Sequence, residues 1–430
     1  METPPIALEA RLQSRYHTLV EQHSTPPSAL ASGLRALPDG GSGFAATQAA
    51  WRFFANAKVT LPALCQPLQA YARQQVQGQA YVLVVHDWSW LDYNGHTRKK
   101  DRIAHSHQKA QGYDLLSALA VSTHTGAPLA PLHLALSSSD GVYTSQSADC
   151  QPAWEDHLSA LWTQISVVET LGLPARCVHC VDREADSVAL HRQFAQAERL
   201  CLLRARDNQY VEVKGQRVQL RALSERLAFT YARPVLYHGQ AAQQYIAQQW
   251  VTLTRPYIRD RQGKREVIAG PPVTVRLIMS QVRSEAGVLL ACWYLLSNVP
   301  DDVPAPTLAL WYYWRWQIEC YHKLLKKAGW HLEDWQQESA SALVKRLAVV
   351  AMASALVWAI QHCRAPEIDP LRRELIRLSG RQMKRTQPVT APALLAGLGT
   401  LLAAVELLER YTPDELHRLA QQATSLLAQP

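Results

Sequence analysis

Tyr81-Val-Leu-Val-Val-His-Asp87 and Cys177-Val-His-Cys-Val-Asp182 are two short apolar runs, and each ends in an aspartate. A continuous apolar run of this length, bounded by polar residues, reads as a buried strand. Gly112–Val121 and Pro128–Leu136 are two further strand candidates between them. Trp154–Leu171 carries Leu158, Leu161, Trp162, Ile165 and Val168 at helical spacing, a second helix is predicted over Ser187–Ala197, and Leu200–Leu203 reads as the next strand. Strands followed by strand–helix–strand alternation predict an α/β fold: a mixed sheet flanked by helices.

Outward from this centre the character changes on both sides. Residues 1–75 read as small and helical, with Thr47 capping a helix over Gln48–Ala55 and Leu37–Gly43 as a linker before it. Residues 206–298 alternate and turn: Val211–Leu220 reads as a hairpin, and strands are predicted at Gln244–Leu253, Val273–Met279 and Leu289–Ser297. This stretch has the pattern of an all-β insertion. From Tyr312 to about Gly329 the sequence predicts one helix, and residues 336–430 read as helical.

The chain has 430 residues, too many for one ordinary domain, and its 48% hydrophobic content suffices for a large core. Its formal net charge of +8 fits a polyanionic partner such as nucleic acid. The start, METPPIALEARLQSRYH, has prolines and acids where a secretory signal needs an apolar core. Leu347–Gln361 is too short to span a bilayer, and Pro388–Val405 is interrupted by Pro392, Gly397 and Gly399, so both are expected as buried helices without a membrane. Eight cysteines are scattered, and the single C-x-x-C pair, Cys177 and Cys180, falls on a strand with its two thiols on opposite faces. These read as core thiols in a reducing, cytoplasmic compartment, not as a zinc site.

Asp87 and Asp182 stand at the carboxyl ends of their strands, the edge at which open α/β sheets bind ligands. Two carboxylates there suit a hard divalent cation, Mg²⁺ or Mn²⁺. Glu319 is the candidate third ligand. It shares a helix face with Tyr312, Arg315, Lys323 and Lys326, which recur at spacings of three and four. Two metal ions held about 4 Å apart by such carboxylates activate an attacking oxygen and stabilise a leaving one in phosphodiester displacement. Ordinary readings stand beside this one: a post-strand aspartate starts a turn or caps a helix, and a glutamate among cations forms a surface ion-pair stripe.

The same residues resemble a known family. Asp182-Arg-Glu-Ala-Asp186 looks like the second-aspartate motif of bacterial DDE transposases of insertion-sequence family four, and Tyr312, Arg315, Glu319 and Lys326 keep every spacing of that family's Y-R-E-K pattern. Val84-Val-His-Asp-Trp-Ser89 resembles its first-aspartate segment, Trp293-Tyr-Leu-Leu-Ser297 its conserved tryptophan stretch, and Thr47-Gln-Ala-Ala-Trp-Arg-Phe-Phe54 its N-terminal DNA-binding region. The likeness spans roughly residues 40–335. It implies a helical DNA-binding region at 1–75, a ribonuclease H-like catalytic domain at 76–335 with the β insertion inside it, and a helical region at 336–430 with a possible dimerisation role. It implies Asp87, Asp182 and Glu319 as ligands of two Mg²⁺ (or Mn²⁺) ions. Tyr312, Arg315, Lys326 and Lys323 are then DNA contacts, with Arg204 as a further basic contact and Trp293 as the aromatic that steadies a flipped base.

The function so implied is a cut-and-paste transposase, acting on double-stranded DNA as a homodimer, that cleaves at its element's ends and joins the 3′-OH to target DNA. The alternatives are a non-cutting, transposase-derived regulator and a metal-dependent nuclease or phosphatase on the same fold. His86, His105, His107 and His322 read as packing, DNA contacts or supports of a metal ligand. Three basic clusters, Arg98–Arg102, Arg255–Arg265 and Arg372–Arg385, read as solvated faces or DNA contacts.

Overall fold

The computed structural model describes residues 6–24, 42–105, 110–261, 264–381 and 389–427. Contacts divide the chain into two units: Met1–Leu68, Trp90–Tyr113 and Tyr321–Pro430 form one, and Gln69–Ser89 and Asp114–Cys320 form the other.

The strands are β1 (Tyr81–Asp92), β2 (Ile103–Ala104), β3 (Gln111–Ser122), β4 (Pro128–Ser138), β5 (Gly141–Thr144), β6 (Arg176–Val181), β7 (Leu200–Ala205), β8 (Tyr210–Val213), β9 (Gln216–Gln219), β10 (Thr230–Tyr237), β11 (Gln240–Leu253), β12 (Tyr257–Arg261), β13 (Lys264–Ile268), β14 (Val273–Ser284) and β15 (Leu289–Ser297). One large mixed sheet runs in the order β5-β4-β3-β1-β6-β7-β15-β14-β11-β8-β9, with β10 added beside β11. β1, β6 and β7 are parallel neighbours, and β15 returns antiparallel to β7. The parallel strands explain the unbroken apolar runs, because a strand covered on both faces has no solvent side on which to alternate. Val82, Leu83, Val84 and Val85 are all fully buried.

Helix His157–Thr170 begins at a reciprocal cap, in which the Asp156 side chain accepts from Ser159 N and Ser159 Oγ accepts from Asp156 N. Its Leu161 and Ile165 meet Val181, Cys201 and Leu203 of the sheet together with Leu190 and Phe194 of helix Val188–Gln196. β8 and β9 form the expected hairpin, closed by Lys214 and Gly215 with φ of 51° and 78°, the two left-handed positions that a tight hairpin turn demands. Residues 206–298 differ from a purely β segment: they include a short helix, Leu220–Ser224, and β15, β14 and β11 continue the sheet of β6 and β7. Leu220 and Leu223 of that helix join Val251, Leu253, Val275, Leu277 and Leu296 in one apolar core.

In the first unit, helices Ala10–His23 and Ser42–Ala55 pack on helix Ala340–His362. Thr47 lies within Ser42–Ala55 and so does not cap it; most of the expected linker, 37–41, lies outside the described residues. Among the described residues, two helices are long and apolar enough to cross a membrane by length and composition, Ala340–His362 and Ala391–Arg410. The apolar window of the first is 83% buried but that of the second only 33%, so the expectation of two buried helices describes the first alone. Ala391–Arg410 runs unbroken through Gly397 and Gly399 because Pro392 falls in its first turn, where a proline is tolerated. Gly397 admits Leu375 of helix Ile368–Leu378 so closely that a β-carbon there would overlap the Leu375 carbonyl.

Candidate active site

β1 and β6 are in register from Tyr81 opposite Arg176 to Val85 opposite Cys180. Continued two residues beyond its last pair, this register sets Asp87 opposite Asp182. They therefore share a row and a face, on strands whose usual spacing is about 4.8 Å. β6 and β7 pair Val181 with Leu203, which carries the same row on to Arg204, and Arg204 pairs with Leu295 of β15. Trp293, two residues from Leu295, faces the same side; it is half-buried and pairs with Ser280. Strand alternation thus gathers four widely separated residues on one face of the sheet.

The structure corrects the position of Asp87. The strand does not end there but runs on to Asp92, so Asp87 is an interior position whose Oδ1 accepts from Trp88 N at 3.0 Å. Asp182 stands just past its strand, as expected, and caps the turn Arg183–Ala185 by accepting from Glu184 N at 2.8 Å. The ordinary capping role and a position beside Asp87 thus coexist at Asp182.

The third carboxylate comes from the segment after β15. The expected single helix is three pieces: helix Ala305–Trp314, helix Trp316–Lys323 and a π-helical turn Leu324–Ala328. Glu319 is half-buried, and Arg315 Nη2 donates to its Oε1 at 2.6 Å while Arg315 Nη1 lies 3.9 Å from Asp87 Oδ2. Burial raises the Asp87 carboxyl, the charges of Asp182 and Glu319 raise it further against the pull of Arg315, and it is pushed up to about 7. Burial opposes the charge on Arg315, but Tyr312, Cys180, Asp87 and Glu319 outweigh it, so the guanidinium stays charged. Tyr312 is buried, and its hydroxyl has no partner among the described residues although Arg315, Cys180, Arg204 and Asp182 all act on it. An orphaned buried hydroxyl is costly unless something hydrogen-bonds to it.

Asp87, Asp182 and Glu319 offer the hard oxygen donors that Mg²⁺ and Mn²⁺ prefer. Among the described residues no group of three or more His, Cys, Asp or Glu side chains is disposed to hold a metal ion. The Arg315 guanidinium stands between two of these carboxylates, 2.6 Å from Glu319 and 3.9 Å from Asp87.

The π-helical turn alters the expected stripe. Its wider i→i+5 turns rotate later residues off the 3.6-residue face. Lys326, within it, donates to Trp90 O and lies 3.3 Å from Glu333 Oε1, whereas Lys323 is exposed. The basic clusters are also partly internal: Lys99 is buried over the Tyr93 ring, Arg102 donates to Tyr93 O at 2.8 Å, and Arg372 pairs with Asp369 at 3.0 Å. The side chains of Arg259, Arg261, Lys264, Arg265, Lys384, Arg385 and His107 lie outside the described residues. His322 is buried and pushed down to about 3, chiefly by burial, and His105 packs edge-on against Trp90. Cys180 was legible only as a core thiol. The structure also sets it beside Arg315, a neighbour that no local pattern announces.

No curated protein matches the chain. Among solved structures, it is similar to piggyBac transposase in a cryo-EM synaptic complex with hairpin DNA, at 10% identity and a TM-score of 0.35, covering 84% of this chain and 61% of that one. The chain thus spans less than two thirds of that protein. The family model described as the transposase DDE domain matches residues 78–356, and by that match the chain belongs to this family.

Proposed function

We propose that this protein is a transposase that cuts DNA at the ends of its own insertion sequence and joins the freed 3′-OH ends to target DNA, with Asp87, Asp182 and Glu319 holding two Mg²⁺ or Mn²⁺ ions. The observation that carries this is that Arg315 joins Glu319, at 2.6 Å, to Asp87, at 3.9 Å, on the strand that runs parallel to the one leading to Asp182, so that carboxylates from three distant stretches of sequence meet. Bound there, the ions would activate the attacking oxygen and stabilise the leaving one. A water oxygen attacks phosphorus, the bond to the 3′ oxygen breaks, and that oxygen takes up a proton. The resulting 3′-OH then attacks the opposite strand or the target, forming a new phosphodiester and releasing another 3′-OH. No covalent intermediate with the protein is required.

Arg315, released from Glu319, grips a phosphate oxygen, and the Tyr312 hydroxyl donates to another. Arg204, one strand from Asp182 on the same face, adds a phosphate contact, as do exposed Lys323 and, after leaving Glu333, Lys326. Trp293 presents a ring on which an unpaired base can stack. The ribonuclease H-like reading, with 206–298 as its β insertion, is supported by the β3–β5 meander beside parallel β1, β6 and β7. The partner is double-stranded DNA, terminal inverted repeats first and target second. The working form is a homodimer, which the exposed Val405, Leu408, Tyr411 and Leu419 near the C-terminus favour, and the compartment is the cytoplasm.

The test is purified protein with Mg²⁺ and DNA carrying the element's terminal repeats. End cleavage is expected, with Asp87→Ala, Asp182→Ala and Glu319→Ala each reducing it at least a hundredfold while DNA affinity changes little. Retained cutting in any of the three sinks the assignment.

A further inference from the structure

On the face of β1 and β6 turned away from the carboxylates, five side chains outside the proposed chemistry form a buried chain of hydrogen bonds. Glu169 Oε1 lies 2.8 Å from His179 Nε2, and His179 Nδ1 lies 2.9 Å from His86 Nε2. His86 Nδ1 lies 2.7 Å from Gln164 Oε1, and Gln164 Nε2 lies 3.2 Å from His133 Nδ1. His86, His179 and Gln164 are fully buried and His133 nearly so, whereas 31% of the Glu169 side chain is exposed. His86 immediately precedes Asp87, and His179 precedes Asp182 by three residues.

The donor inventory of these groups leaves few arrangements. An ionised carboxylate only accepts, so His179 Nε2 donates to Glu169. A neutral His179 then accepts at Nδ1, so His86 Nε2 donates. A neutral His86 accepts at Nδ1, so Gln164 must offer it an amide N–H, a half-turn of the amide that exchanges its two ends without changing its shape. The amide oxygen then faces His133, which donates from Nδ1 and is left with a bare Nε2. That nitrogen has no partner among the described residues. The rival arrangement keeps the Gln164 oxygen toward His86 and reverses the three bonds that run from His179 to His133. It requires a second proton on His179 to satisfy Glu169, and it leaves His133 with an orphaned N–H. His179 is fully buried, which works against such a charge, and buried orphan donors are rarer than orphan acceptors. Glu169 itself is lowered: burial acts against this, and its bond from His179 and the nearby Arg199 prevail.

We propose that Glu169 is a positioning residue for the carboxylate site: acting through His179 and His86, it sets a single direction for every hydrogen bond in the chain and so holds β1 and β6 side by side beneath Asp87 and Asp182. This rests on the reading of the aspartates given above, yet its decisive measurement does not use cleavage. An aligned chain of this kind is stronger than its separate bonds, because each polarises the next.

The experiment is ¹⁵N NMR of the histidine rings in the full chain at neutral pH. His86 and His179 are expected in the Nε2–H form and His133 in the Nδ1–H form. Glu169→Gln should keep this pattern, since a glutamine oxygen still accepts from His179. Glu169→Lys places a donor at the same end and should reverse all three rings together, with Mn²⁺-dependent nicking of supercoiled plasmid falling at least tenfold and plasmid affinity moving less than twofold. A doubly protonated His179 in the wild type, rings that reverse independently of one another, or reversed rings with undiminished nicking would each overturn the proposal. Should the lysine variant not fold, loss of the Nε2–H form in Glu169→Gln overturns it as well. If no variant nicks DNA, wild type included, the proposed function fails while the ring pattern still decides the direction of the chain.

Discussion

Arg315 is the residue on which the electrostatics of this site turn. Three carboxylates converging without a cation repel one another, and Arg315 relieves that by bonding Glu319 at 2.6 Å while standing 3.9 Å from Asp87. A divalent ion must displace this guanidinium, so Arg315→Gln is expected to tighten Mn²⁺ binding about tenfold, roughly 1.4 kcal/mol, while impairing cleavage. Unchanged or weaker binding in a calorimetric titration would count against Arg315 as a competitor of the metal ion. Asp87 yields a second expectation. Its folded carboxyl is pushed up to about 7 from the usual 3.8, chiefly by burial and then by Asp182 and Glu319, so the folded state binds this proton more tightly than the unfolded chain. The stabilisation is present below about pH 4 and is lost as pH rises through about 7. Denaturation without metal should therefore show wild type losing stability across that window by up to a few kcal/mol relative to Asp87→Asn, and saturating Mg²⁺ should abolish the difference. Parallel pH profiles for the two proteins would refute it. The Tyr312, Arg315 and Glu319 spacing was legible in the sequence because it is a local helical relation. The bridge to Asp87 was not, because that residue lies far away along the chain.

At the scale of elements, the site depends on where helix Ala305–Trp314 is set down. Gly126, at φ 71°, leaves room for the Trp314 indole that precedes Arg315, and a β-carbon there would overlap the ring. Trp311 Nε1 donates to Thr123 O at 3.1 Å on the same loop between β3 and β4. Gly126→Ala is thus expected to destabilise by about 1–3 kcal/mol, from both the left-handed backbone and the overlap. Cleavage should fall even at temperatures where the variant stays folded. A fully active, fully stable variant in thermal and plasmid-nicking assays would show that the helix does not depend on this contact. The strands were readable from their apolar runs, but the length of β1 was not. Its second half, Trp88-Ser-Trp-Leu-Asp92, is only partly buried and lacks the continuous apolar signal. The breaks at Arg315 and at the π-helical turn were equally hidden, since one pattern of apolar residues serves an α-helix and a bulged one almost alike.

For the molecule as a whole, the net charge of +8 overstates the cations at the surface, because Lys99, Arg276 and Arg346 are buried in internal contacts. Replacing exposed Lys323 by alanine should weaken binding of any sequence alike and reduce the slope of log affinity against log salt by about one. The same change at Lys99 should instead lower stability and leave that slope unaltered. Equal slopes for wild type and Lys323→Ala would remove Lys323 from the interface. The sequence by itself determined the mixed α/β class, the buried strands and the helical character of the segment that carries Glu319, because each of these is written in periodicities of two or 3.6 residues. Only the tertiary structure decided that Asp87, Asp182 and Arg204 share one row, that Arg315 stands among the carboxylates, and that Glu169 reaches toward Asp87 through two imidazoles. Those facts depend on strand register and on which face each helix covers, and both are settled by packing between separate elements, not by any local pattern.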